Sequence, residues 1–209
     1  MIAGALLDKR RVELRRQPDQ AGFDQFVRDR MAQADRLASA LPDSGPIRWY
    51  DAMRGWLLDA HAEAAVLGRL RAGVPEDTGM DAARMRGAAD AESEFLAGFY
   101  DALDARDPRY WDDEAQSWRI EAIQSRARSY TGRMRGTANQ AFLDESPAEA
   151  TFRWVLGASE SHCDDCPYFA GLEPMARDEW PTVPGANQTP CLYNCSCHLE
   201  RDDGVTSFT

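Results

Sequence analysis

The sequence predicts a mainly α-helical protein that ends in a small, loop-rich, cysteine-bound module. Two observations carry this expectation. Up to about Glu145, apolar residues recur at steps of three and four, the period of one helix face. Beyond that point prolines and glycines crowd the chain, and all five cysteines fall in one 35-residue window. We therefore divide the chain into an α-helical body, residues 1–145, and a Cys-rich module, residues 146–209.

Each element follows from its own pattern. Leu6, Leu7, Val12 and Leu14 suggest a short amphipathic piece. Phe23, Val27, Met31, Ala34, Leu37 and Leu41 predict a first long helix, with Pro18 near its start and Pro42 at its end. Trp49, Met53, Trp56, Ala60, Ala64 and Leu67 predict a second, closed by Gly73 and Pro75. Met85, Ala88, Glu92, Phe95, Phe99 and Leu103 predict a third, with one polar interruption at Glu92 and a break at Asp107-Pro108. Ile120, Ile123, Ala127, Tyr130, Met134, Ala138 and Phe142 predict a fourth. These aromatic and methionine stripes are read as core. No internal repeat or low-complexity tract is visible.

Ser146-Pro147-Ala148-Glu149 has the form of a helix start: serine, then proline in the first turn, then glutamate. Phe152, Trp154 and Leu156 alternate with Arg153 and Val155, which fits a short strand or the end of a short helix, with the strand preferred. From Pro167 to Pro190 the chain is too rich in turn residues for long elements, so its order must come from another source.

Net charge is −11, and its placement is informative. From Asp144 onward there are 12 acidic and 3 basic residues; the first 143 residues hold 23 acidic and 21 basic. A nucleic-acid finger needs the opposite sign, because phosphate contacts dominate its affinity. Residues 119–135 carry Arg119, Arg126, Arg128, Arg133 and Arg135 against the single acid Glu121. That stripe is either a solvated helix face or a docking surface for an acidic protein or packaged DNA. Met1 to Leu7 is a short apolar run that meets Asp8 and Lys9 at once, so no signal peptide is expected. No stretch approaches the ~20 apolar residues of a membrane span. The expectation is a soluble protein made in a reducing compartment.

In such a compartment clustered thiols usually mean metal. Cys163-Asp-Asp-Cys166 can present two sulfurs to one tetrahedral ion from a tight turn, and Cys191, Cys195 and Cys197 supply more than the two still needed. The expected cofactor is one structural Zn²⁺ per chain, held by four of the five cysteines. Cys195 and Cys197 compete for the last place. His162 and His198 adjoin the cysteines and could substitute, but four thiolates make them unnecessary; His61 is read as a helix residue. Disulfides and unrelated buried thiols are the alternatives, and an odd count in one cluster fits disulfides poorly. The redox reading of C-x-x-C wants a βαβ context, which the sequence lacks.

Catalysis finds little support. Glu160, Asp164 and Asp165 lie near the cysteines, but an all-thiolate ligand set lowers the Lewis acidity that hydrolysis needs. No H-E-x-x-H, G-x-S-x-G, zinc-deaminase or glycine-rich phosphate motif occurs. No catalytic residue is assigned and no enzyme is expected.

The tail also carries a resemblance. Its first half is Trp154-Val-Leu-Gly157, Glu160-Ser-His-Cys163-Asp-Asp-Cys166 and Ala170-Gly171. Its second half is Pro184-Gly185 and Thr189-Pro190-Cys191-Leu-Tyr-Asn194-Cys195-Ser-Cys197-His-Leu199. Over about 45 of 209 residues, this resembles the C-terminal module of tailed-phage head-morphogenesis or minor head proteins, the group similar to the F protein of phage Mu. In that family a C-x-x-C and a following glycine lead through a proline-containing loop to an Asn-Cys-x-Cys ending. Many members place His-Pro just before that ending, whereas here Cys191 stands one position further upstream. The resemblance implies a low-copy virion component near the portal, made in the host cytoplasm, with portal and capsid proteins as partners and no membrane. Trp49, Trp56, Trp111 and Trp118 would offer aromatic anchors for such contacts, although each is read first as core. The alternatives are a metal-dependent phage enzyme such as a nuclease, using His162 or His198, and a zinc-bearing regulator that binds DNA.

Overall fold

The computed structural model describes residues 18–75, 80–159, 161–186 and 188–209. The amphipathic piece expected around Leu6 to Leu14 and the carboxylate Glu160 lie outside the described residues. The fold is mainly α, as the periodicity predicts.

Helix α1 (Gln20–Ser39) starts where the Asp19 carboxylate accepts the Gly22 N–H at 2.8 Å. It buries Phe23, Phe26, Arg30, Ala34 and Ala38. That face is rotated from the predicted one: Val27 and Leu37 pack at its margin and Met31 is exposed. Arg30 takes an inward position because its guanidinium pairs with Glu63 and lies over the Phe26 ring. Pro42 sits in the first turn of a short α2 (Leu41–Ser44). Gly45, at φ 74°, then redirects the chain into α3 (Pro46–Arg71), which carries proline in its own first turn.

Helices α4 (Met80–Asp104), α5 (Ile120–Ser129) and α6 (Met134–Glu145) complete the body. The predicted fourth helix is divided by a 3₁₀ turn at Tyr130–Arg133. Ser129 and Thr131 donate their hydroxyls to the carbonyls of Arg126 and Arg128, both at 2.7 Å, and this local bonding competes with the regular helix ladder. Helix α3 is central, packing against both α4 and α6. Its crossing with α6 is close: a Cβ on Gly68 would lie 1.9 Å from the Ala138 carbonyl oxygen. A small ribbon, β1 (Trp111–Asp112) and β2 (Ser117–Trp118), joins α4 to α5, its paired tryptophan rings 5.0 Å apart and edge-on. No helix among the described residues is long and apolar enough to cross a membrane.

The anticipated helix start at Ser146 is a helix end. The Ser146 hydroxyl, 2 % exposed, donates back to the Phe142 carbonyl at 2.8 Å and accepts from Arg201 at 3.0 Å. Pro147–Ala150 is a turn closed by the Ala150 N–H on the Pro147 carbonyl. The alternating segment beyond it is a strand. β3 (Thr151–Val155) is the middle of a three-stranded antiparallel sheet, between β4 (Met175–Ala176) and β5 (His198–Arg201). Phe152 and Trp154 face inward while Arg153 faces out, the period of two that a half-buried strand requires. One short helix, α7 (Asp165–Ala170), interrupts the loops.

Residues of each part belong to the other's core. Phe208 stacks on Phe23 of α1 at 4.3 Å, inside the helical cluster. Phe142, Leu143 and Ala72 pack among the residues of the cysteine module. Buried Asn139 of α6 closes the join: its amide donates to the Pro184 and Phe208 carbonyls, and its oxygen accepts the Phe208 N–H. Arg71 of α3 donates to the Thr206 carbonyl.

Candidate metal centre

The five cysteines reach one place from three directions. Cys163 lies in the loop before α7, and its carbonyl accepts the Cys166 N–H at 3.2 Å, the tight turn that C-x-x-C allows. Cys166 stands in the first turn of α7. Cys191 precedes the 3₁₀ turn Leu192–Asn194, and Cys195 follows it. Cys197 sits just before β5, one strand away from Trp154. Below them Trp154 stacks on Phe169 at 4.9 Å, with Trp180 beside both.

All five are free thiols. The sulfur of Cys163 is 3.4 Å from Cys166 and 3.3 Å from Cys191; Cys166 is 3.7 Å from both Cys191 and Cys195. A tetrahedral ion with bonds of ~2.3 Å to sulfur separates its ligands by about 3.8 Å. The sulfurs form two overlapping triads, Cys163-Cys166-Cys191 and Cys166-Cys195-Cys197, joined through Cys166. Burial and the neighbouring thiols push the Cys166 thiol up, and burial pushes Cys195 up to about 12. At Cys163 burial acts upward too, but hydrogen bonds with Cys191 and Cys166 outweigh it and lower the thiol below its ordinary value. The cluster can hold a metal ion, with bound cation taking the place of thiol protons.

The three histidines take different places relative to these sulfur triads. His162 places Nδ1 3.7 Å from the Cys197 sulfur. His198, on β5, is held below its usual value by burial, and its Nδ1 has no partner. His61 is in the helical body and bonds Thr137 there.

Sequence reasoning missed the residues that fasten this cluster to α6. Arg135 is directed at the module and donates to the Cys195 carbonyl. Gly136 meets Gly185 so closely that a Cβ on Gly136 would lie 2.4 Å from the Gly185 oxygen, and Gly157 presses on Ser196 in the same way. The remaining arginines of the proposed stripe also have partners within the chain. Arg128 pairs in two-pronged fashion with Asp35, Arg119 with Asp112 and Arg133 with Glu92; Arg126 lies over the Phe99 and Tyr130 rings. Trp49, Trp56 and Trp111 are buried and Trp118 is half-buried against Trp111, so they serve the core.

No family model, no curated protein and no solved structure matches this chain.

Proposed function

We propose that this protein is a structural component of a tailed-phage particle, a minor head or head-morphogenesis protein that works through contacts with portal and capsid proteins and not by catalysis. One structural zinc ion holds its C-terminal module. The observation that carries this reading is the all-sulfur cluster, three of its thiols buried and two half-buried, in a module fastened to a helical body by Arg135, Asn139 and the Gly136–Gly185 contact. An ion bound by four thiolates has no open position for substrate or water, and its work is to fix loops that bury too little apolar surface to order themselves.

Cys163, Cys166 and Cys191, whose sulfurs lie 3.3–3.7 Å apart, are three of the ligands we assign, and Cys195, 3.7 Å from Cys166, is our choice for the fourth. Cys197 is the surplus thiol, beside His162. Soft sulfur donors in this arrangement suit zinc. The resemblance of the cysteine module to minor head proteins supplies the partner class, and the acidic tail argues against a DNA finger.

A pull-down with tailed-phage portal and capsid proteins tests the reading. The protein is expected to be recovered with one of them, and a Cys166→Ser variant to be recovered less. Metal-dependent turnover of nucleic acid, peptide or nucleotide, together with no binding to either virion protein, would overturn it.

A further inference from the structure

A cleft of about 410 Å³ lies between α3, α4 and α6, with Gly185, Ala186 and Gln188 of the cysteine module also lining it, and the metal centre does not use it. His61 and Glu92 line it, at 1 % and 4 % exposure. Each keeps one polar atom without a hydrogen-bond partner: His61 Nε2 and Glu92 Oε2. Their other atoms are fixed, His61 Nδ1 by Thr137 Oγ1 at 2.8 Å and Glu92 Oε1 by Arg133 at 2.7 Å. The Arg133 guanidinium is in turn seated 4.3 Å over the Phe95 ring, which also lines the cleft. Two anchored, buried side chains with one unused polar atom apiece are costly unless something meets them.

We propose that this cleft binds a small uncharged organic ligand that carries a flat apolar part and a primary amide or similar group. The size fits: ligand sites begin near ~300 Å³ and combine apolar walls with a few convergent polar groups. Charge decides the class. Arg133 already balances Glu92, and burial followed by the nearby Arg133 charge holds His61 at about 4, so it is neutral at pH 7. The pair leaves the cleft no net charge to offset the desolvation of a charged ligand. The unpartnered Glu92 oxygen accepts, so the ligand must donate an N–H or O–H there. His61 Nε2 donates or accepts according to which way the Thr137 hydroxyl points, and an amide can answer either. Phe95 and Ala91 offer the apolar wall.

The probe is benzamide, titrated into the full chain and followed by protein NMR, with crystals soaked in parallel. We expect saturable shifts with a Kd of about 1 mM, as suits nine heavy atoms. The amide should lie within hydrogen-bond distance of His61 Nε2 and Glu92 Oε2. Benzoate and benzamidinium should bind at least about tenfold more weakly. Ala91→Trp, which alters no buried polar group, should abolish the shifts while its circular dichroism stays that of the parent. The inference is overturned if benzamide fails to saturate, if the three probes bind alike, if Ala91→Trp binds as well as the parent, or if the crystals show ordered water alone at both atoms. None of these results touches the metal centre.

Discussion

His61 shows what a single buried group contributes. Desolvation, and then the Arg133 charge, lower it from 6.5 to about 4. The unfolded chain therefore takes up a proton at His61 before the folded one does. Its stabilising effect is complete above about pH 6.5 and is lost as pH falls towards 4, by about 3 kcal/mol in all. Urea unfolding between pH 7 and 4.5 should show this decline, and His61→Gln should flatten it. At the cysteines, Cys166→Ser should strip zinc from protein purified without added metal, because Cys166 joins the two sulfur triads. Cys197→Ser should keep one zinc per chain by elemental analysis; equal loss in both variants would remove Cys195 as the assigned fourth ligand. All five cysteines were legible from spacing alone. Arg135 was not, because its partner is a backbone carbonyl 60 positions away that no local pattern marks. Glu92 looked like a flaw in a helix face until Arg133, 41 positions on, was found beside it.

Among the elements, the long helices follow from their apolar period, and β3 from its alternation of Phe152 and Trp154 with Arg153. Strands of two residues, as in β1 and β2, are too short to have a period, so the hairpin left no such trace. The break between α5 and α6 was hidden as well, since Ser129 and Thr131 act through hydroxyls that an apolar pattern does not register. Ser146 misled for a related reason: the same hydroxyl chemistry that opens helices here closes one. Packing between helices depends on contacts of a similar kind. Gly68→Ala would push a methyl into the Ala138 carbonyl and force α3 and α6 apart, at a cost of about 3 kcal/mol. A fall in Tm of roughly 10 °C is expected in a thermal melt; an unchanged Tm would mean that the crossing yields more easily than its geometry implies.

At the scale of the whole molecule, the cysteine module and the helical body share interior residues, and Phe208 is the clearest of them. Phe208→Ala should cost about 3–5 kcal/mol and lower the helical signal and the sheet together in one denaturant transition. Two separate transitions would show that the shared contacts carry little cooperativity. The same join has a consequence in time. Gln20, at the start of α1, exchanges hydrogen bonds with Thr209, 189 positions later. At 5–20 residues per second, a ribosome needs roughly 10–40 s to make the stretch between them. Through that interval Phe23 has no Phe208 to cover it, and the nascent helices present an apolar face to whatever chaperone or neighbouring chain arrives first.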